Sequence, residues 1–252
     1  MEVTHKHMSG ISSTSGSKSL QFSTKRHGGV SDPPFHSLNL SHGVGDKQEM
    51  VHRNRSRLKK KYSIPILLSA RQVHGDKIFI ADHPLLNDLE VDGYDALLTN
   101  ISGIGLLIQQ ADCQGISLFD PVACAVACVH SGWKGSVLNI LAKTVFAMKR
   151  HYNSDPADLH AIISPSLGPC CAEFKNHPQE LPSSFLAFQV KENYFDFWQV
   201  SKMQLLEAGL RDENIVITGI CTSCSPEFFS YRRACRAGDG KTGRGGTVIA
   251  LR

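Results

Sequence analysis

Apolar residues in this chain fall mostly in short runs broken by polar, Gly- and Pro-containing joints. "IPILLSARQVHG" reads as a buried strand that ends in a loop carrying His74, and "GYDALLTN" and "GIGLLIQQ" read as two more strands. "LHAIISPSLGP" is a strand that breaks at Pro and Gly, and "NIVITGI" and "TVIAL" close the set. Helical spacing shows elsewhere. After His130, the stretch "SGWKGSVLNILAKTVFAMKRHY" repeats apolar residues at Val137, Leu138, Leu141, Val145 and Met148, with Ser131 as its cap. Residues 47–62 predict a very polar helix, and "FLAFQVKENYFDFWQVSKMQLLEAGL" a short strand followed by a helix ending at Gly209. "FFSYRR" reads as a core strand with a charged end.

No repeat and no linker divides the chain, and strands mix with helices throughout. The expected class is α+β: a single domain over residues 20–252, with a mixed β-sheet and helices packed on it. Residues 1–19, rich in Ser, Gly, Lys and His and without periodicity, read as a flexible N-terminal leader.

Composition narrows the functional classes. A chain of 252 residues with 41% hydrophobic and 20% charged residues can bury a substantial core and matches an ordinary soluble domain. The net charge of +4 permits an anionic ligand without requiring a nucleic acid. The basic run "HRNRSRLKKKY" reads as a solvated helix face, so neither a nucleic-acid nor a membrane partner is expected. No apolar stretch reaches the length of a signal core or a membrane span. Eight cysteines are too sparse for a disulfide framework and point to free thiols in a cytoplasmic protein.

The chemistry concentrates in "QQADCQGISLFDPVACAVACVHSGWKG". Asp120 and Pro121 suit the first two positions of a type I turn with Ala123 at its end. That register sets residue 120 opposite 123 and Cys113 opposite His130, on one face, with Cβ atoms roughly 4.5–5.5 Å apart. A thiolate and an imidazole so placed can share a metal, with His74 as the third ligand and a position left open. The same spacing also fits two buried core residues with His74 on a surface loop, or a metal-free Cys–His nucleophile. "SGWKG" opens a helix and favours an anion at its N-terminus.

Other candidates read more plainly. Cys124 and Cys128 are small core residues of the hairpin. "CTSC" has C-x-x-C spacing, but Cys170 and Cys171, being adjacent, do not supply the usual second pair, so these four read as structural. Arg55, beside Asn54, can fork onto a phosphate. Arg232 in "FFSYRR" and Arg244 in "KTGRGG" are further anion contacts.

Taken together, "QVHG", "ADC" before an apolar strand, "HSGWKG", "GPCCAEF", "FFSYRR" and "TGR" occur in the order seen in the YfiH family, also called DUF152 or the laccase-domain family. "TKRHGGVS", "SLNLSHGVGD" and "NR" resemble its N-terminal signature, so the resemblance spans roughly residues 20–252. It implies a YfiH-like single domain, a mixed β-sheet layered with helices in an α/β/α-type sandwich, whose metal, usually zinc, is held by two histidines and a cysteine at the positions of His74, Cys113 and His130, which are also the catalytic centre. It implies purine nucleoside phosphorolysis of adenosine, inosine and methylthioadenosine, with adenosine deamination as well. Purine nucleoside and phosphate are the expected ligands, and Asn39, Arg55, Arg232 and Arg244 the expected contacts to phosphate and ribose. Asp112 either orients a ligand, shuttles a proton or caps the strand end. The protein is expected to be a monomer. The older naming of the family implies copper and polyphenol oxidation; a Cys–His hydrolase and a metal-stabilised binding module are the remaining alternatives. Blue copper wants an axial Met, and Met1, Met8, Met50, Met148 and Met203 all lie far in sequence from the three ligands. Gln110 stands where the family more often has Thr, and Gln114-Gly115 where it has an apolar-Pro pair. These two added amides bear on substrate preference.

Overall fold

The computed structural model describes residues 18–252. Of the expected leader, residues 1–17 lie outside the described residues; Ser19 opens the first strand.

The strands in chain order are β1 (Ser19–Ser23), β2 (Ile66–Arg71), β3 (Ile78–Ala81), β4 (Leu89–Asp92), β5 (Ala96–Thr99), β6 (Ile104–Gln110), β7 (Gln114–Asp120), β8 (Ala125–Ser131), β9 (His160–Ile163), β10 (Gln189–Lys191), β11 (Tyr194–Phe195), β12 (Ile215–Ile217) and β13 (Gly245–Leu251). The α-helices are α1 (Gln48–Tyr62), α2 (Trp133–Val137), α3 (Ile140–Tyr152), α4 (His177–Glu180), α5 (Phe197–Glu207) and α6 (Tyr231–Ala237). The first of two large sheets has the order β1-β13-β6-β2-β4, the second β12-β9-β7-β8-β5-β3, and both mix parallel with antiparallel neighbours, while β10 and β11 pair antiparallel as a separate two-stranded ribbon.

The two sheets pack face to face. Leu68, Leu106, Ile108 and Ile249 of the first meet Leu97, Phe119, Val126 and Cys128 of the second in a shared core. Alternate residues of the same strands point outward. Leu67, Leu107 and Val248 pack with Leu58 of α1, while Leu98, Ile116, Leu118 and Val129 pack with Leu141, Val145 and Met148 of α3 and Leu205 of α5. The α+β class is therefore as expected, but the β-layer of the sandwich is doubled, giving α/β/β/α. Central strands covered on both faces explain the continuous apolar runs: β6, β7, β8 and β13 are buried at every position. No helix among the described residues is long and apolar enough to cross a membrane.

Three local expectations differ. The stretch after His130 is two helices rather than one, because Asn139 turns left-handed (φ 52°) and caps α3 by accepting from the Ala142 amide. That break turns Val137 and Leu138 toward solvent, and Gly132 rather than Ser131 caps α2. "FFSYRR" is no strand: Phe228 and Phe229 are buried, and Ser230 caps α6 through the Arg233 amide. In the hairpin, Asp120 faces Ala125 and Gly115 faces His130. The tip has four residues instead of two, because Asp120 Oδ1 accepts from the amides of both Val122 and Ala123 and Cys124 adopts φ 50°. The slip is by two residues, so the faces are preserved.

Polar groups lock α1 to the loop before it and to the first sheet. Asn54 donates to Ser31 Oγ and to the carbonyls of Ser37 and Asn39. Arg55 donates to the Leu40 carbonyl, to Ser69 Oγ and to Glu90 Oε2 at 2.6 Å. Burial alone would raise the Glu90 carboxyl, but Arg55 and Ser69 hold it below its usual value. Such a contribution is complete above the ordinary glutamate pKa of about 4.3 and is lost as pH falls through the lower folded value. Arg55→Ala is expected to destabilise the fold by about 2–4 kcal/mol in urea denaturation, toward the lower end for a broken buried pair because Glu90 keeps some water access. Glu90→Gln is expected to flatten the fall in stability on the acid side. Unchanged urea midpoints in both variants would show that the pair does not hold α1.

Candidate metal centre

The centre is assembled from three places. His74 lies in the loop after β2, Cys113 in the link between β6 and β7, and His130 near the end of β8. Their ligand atoms all lie within 4.8 Å of one another. Cys113 Sγ is 3.8 Å from His74 Nε2, and the two imidazoles meet edge to face with centroids 4.8 Å apart.

A residue passed over in the sequence organises this geometry. Asp95, wholly buried at the head of β5, accepts from His130 Nδ1 at 2.8 Å. It also accepts from the amides of Val73, His74 and Gly75. One carboxylate thus fixes the His130 ring, leaving Nε2 to the centre, and fixes the loop that presents His74. That loop needs the help, because His74 is held in the left-handed region (φ 59°). The only sequence signal was a single acid opening the apolar stretch "DALLT".

The electrostatics suit ligation. Burial would raise the Cys113 thiol, but His130 and His74 beside it outweigh that and bring it down to about 6. Burial would likewise lower His130, yet the Cys113 sulfur and Asp95 push it up. Asp95 is held below its usual value despite burial, chiefly by His130 and then by the amides. Gly132 leaves the space open: a Cβ there would lie 2.9 Å from Cys113 Sγ and 3.2 Å from His74 Cδ2. Two imidazoles and a thiolate with a fixed tautomer and free space fit a divalent metal with one coordination position left over.

Two lobes meet at His74 and Cys113, and His130 lines the larger. The larger, about 910 Å³, is polar and includes His42, Gln72, Glu90 and Arg244; the smaller, about 310 Å³, is walled by Trp133, Phe174, Phe197 and Arg232. His74, Cys113 and Tyr231 line both. Of the four expected substrate contacts, Arg244 faces the polar lobe, its NH1 held by the carbonyls of Thr242 and Gly243 and its charge 6.0 Å from the Tyr231 ring. Arg232 borders the aromatic lobe, but its guanidinium donates to the carbonyls of Cys171 and Glu173. Asn39 and Arg55 do not line either lobe. Asn39 instead accepts from the Arg244 amide and donates to Asp46, and Arg55 is engaged with Glu90.

Asp112 (φ 88°) accepts from Thr222 Oγ1 and from the Arg232 amide, so it anchors the start of α6 instead of facing the trio as a free acid. The two unusual amides are taken up by the scaffold: Gln110 donates to Ser164 and Pro165, and Gln114 to the Phe197 carbonyl. With five residues, α2 has too short a dipole to make the anion site expected at "SGWKG". Cys128 is core as expected, while Cys124 sits in the hairpin tip. The four cysteines that lacked the usual spacing, Cys170, Cys171, Cys221 and Cys224, come together in space.

An α/β/β/α domain that gathers two imidazoles and a thiol beside a cleft is a single-domain architecture with a donor set suited to a metal ion. The family model described as multi-copper polyphenol oxidoreductase laccase matches residues 20–252, and the chain belongs to this family, which includes the YfiH and DUF152 proteins. The chain is 32% identical over 230 residues to a protein of Geobacillus stearothermophilus named purine nucleoside phosphorylase YlmD, covering 83% of each. It is 31% identical to mouse purine nucleoside phosphorylase LACC1, covering 83% of this chain and 51% of that one. The crystal structure of YlmD from Geobacillus stearothermophilus superposes with a TM-score of 0.85 at 28% identity, covering 99% of this chain and 98% of that one. That of Bacillus licheniformis YfiH does so with 0.84 at 32% identity, covering 93% of each.

Asp95→Asn is expected to weaken divalent-metal binding about 10- to 100-fold, because an amide cannot serve the His130 ring and the three loop amides as the carboxylate does. Competition titration against a chromogenic chelator reads this directly. Unchanged affinity would show that Asp95 does not position the ligands.

Proposed function

We propose that the protein is a zinc-dependent purine nucleoside phosphorylase. Adenosine, inosine or methylthioadenosine would react with phosphate to give the free base and a sugar 1-phosphate, with adenosine deamination accompanying it at the same centre. The observation that carries this reading is the convergence of His74, Cys113 and His130 where a polar lobe meets an aromatic one, with His74 and Cys113 on the wall of both and His130 on that of the polar lobe. The names of the relatives support the reaction class.

In phosphorolysis a phosphate oxygen bonds to the ribose C1′ as the bond from C1′ to the purine nitrogen breaks. The bonding pair leaves with the base, which then takes up a proton. Two arginines line the polar lobe; Arg71 is paired with Asp92, which leaves Arg244 to hold phosphate, and bidentate guanidinium contacts suit its oxygens. Trp133, Phe174, Phe197 and Tyr231 offer flat apolar surface to the purine. Zinc held by the trio would supply a Lewis acid with one open position. Asn39 serves at one remove by fixing the Arg244 backbone. Deamination is the lesser activity in this reading, since the nearby carboxylates are committed: Glu90 to Arg55, Asp92 to Arg71 and Asp112 to α6.

The copper oxidase reading has less support. Among the described residues, no methionine lines either lobe to act as an axial ligand. Among the described residues, the only other metal-ligating cluster is made of cysteine alone, unlike the histidine-rich clusters of multicopper sites. A Cys–His hydrolase leaves His74 without a role. Every cysteine is a free thiol, which suits a reducing cytoplasm, and we take the protein as a monomer with no nucleic-acid or membrane partner.

Chromatography of inosine reactions with and without phosphate tests the proposal. Hypoxanthine is expected only with phosphate, and Cys113→Ala and His130→Ala are expected to bring turnover to background. Arg244→Ala is expected to weaken phosphate use by about 10- to 100-fold, the value of a charge-assisted hydrogen bond. Phosphate-independent product, or full turnover in the Cys113 variant, would overturn the reading.

A further inference from the structure

We propose that Cys170, Cys171, Cys221 and Cys224 form a second, structural metal site that takes zinc as a tetrathiolate. The four Sγ atoms all lie within 4.8 Å of one another. Cys224 Sγ is 3.6 Å from that of Cys170 and 3.5 Å from that of Cys171. A tetrahedral zinc with bonds of about 2.3 Å sets its sulfurs about 3.8 Å apart, whereas a disulfide brings them to about 2.05 Å. All four are free thiols, and the two shortest contacts lie close to the spacing of sulfurs around an ion and far from that of a disulfide.

The backbone explains how adjacent cysteines can act together. Cys171 and Ala172 turn back onto the Gly168 carbonyl, and the "CTSC" segment turns likewise, with the Ser225 amide on the Cys221 carbonyl. Ser166 and Cys221 pair across the two loops, and the Thr222 amide returns to the Ser166 carbonyl. These contacts bring one cysteine pair from each loop to a common point.

The surroundings also match the charge of the assembly. Four thiolates on a dication leave a double negative charge, and each thiol releases its proton to solvent as its sulfur binds. Helix α6 sends three guanidiniums to the cluster and its loops. Arg232 binds the carbonyls of Cys171 and Glu173. Arg233 binds those of Thr222, Ser223, Ser225 and Phe228. Arg236 approaches Cys171 Sγ at 4.0 Å.

The location gives the ion a purpose. Leu167, Ala172 and Phe174 on one loop, and Tyr231 and Arg232 beyond the other, line the aromatic lobe. A tetrathiolate would cross-link these two walls without touching the reactants. The proposal stands apart from the phosphorylase reading, because it concerns a different set of ligands.

Metal analysis of the full chain, purified under reducing conditions, tests it. The wild type is expected to carry about two zinc ions, and Cys113→Ser and the Cys221→Ser/Cys224→Ser double variant about one each. A second measurement guards against misfolding of the double variant. Cobalt loaded into Cys113→Ser is expected to give the strong near-ultraviolet thiolate charge-transfer bands and intense visible bands of a tetrahedral sulfur site. A metal-free Cys113→Ser protein lacking those bands would overturn the proposal, as would mass spectrometry showing a disulfide among the four cysteines.

Discussion

The Asp95 carboxylate is the constraint on which the centre depends. It is wholly buried, yet it is saturated by a histidine N–H and three consecutive backbone amides. Those four donors come from two otherwise unrelated parts of the chain, the end of β8 and the loop after β2. A buried carboxylate without partners would be strongly unfavourable, so folding of the second sheet itself compels that loop to close over the strand. The left-handed conformation of His74 persists because it is over-determined in this way.

The double sheet sets the frame around that contact. Cys113 sits where the chain leaves β6 of one sheet and enters β7 of the other, so the sulfur marks the seam between them. Gln72 bridges the same seam region by pairing its amide with both the N–H and the carbonyl of Gln109, extending the first sheet past the end of β2. The cleft is therefore lined by strand ends and short links held by sheet packing. Its position is fixed by the shared core of Leu106, Ile108, Phe119 and Val126 more than by the loops that rim it.

Much of this was legible in the residues. Apolar runs marked the central strands because two covering layers make both faces of each strand apolar. Direct opposition of Cys113 and His130 fails, since Gly115 faces His130, yet the two still meet because the error was even: the tip holds four residues, drawn together by Asp120, and a two-residue shift preserves the faces of the hairpin. What escaped was whatever depended on distant partners. Nothing near Asp95 in sequence announces His130, and Arg55 reads as a phosphate ligand until Glu90 arrives from another strand. Spacing rules for cysteine clusters assume each pair sits in one knuckle, and so missed four thiols gathered by two separate turns. The second sheet was equally invisible, since a strand does not record which sheet it joins.

Gly132 carries a consequence for the evolution of such a chain. Its backbone angles, φ −85° and ψ −177°, are open to any residue, so nothing in the chain path demands glycine there. What forbids a side chain is the sulfur and imidazole beside it. A single added methyl group would plug the centre while leaving strands, helices and core as they are. A relative folded like this protein but with its centre obstructed lies one substitution away.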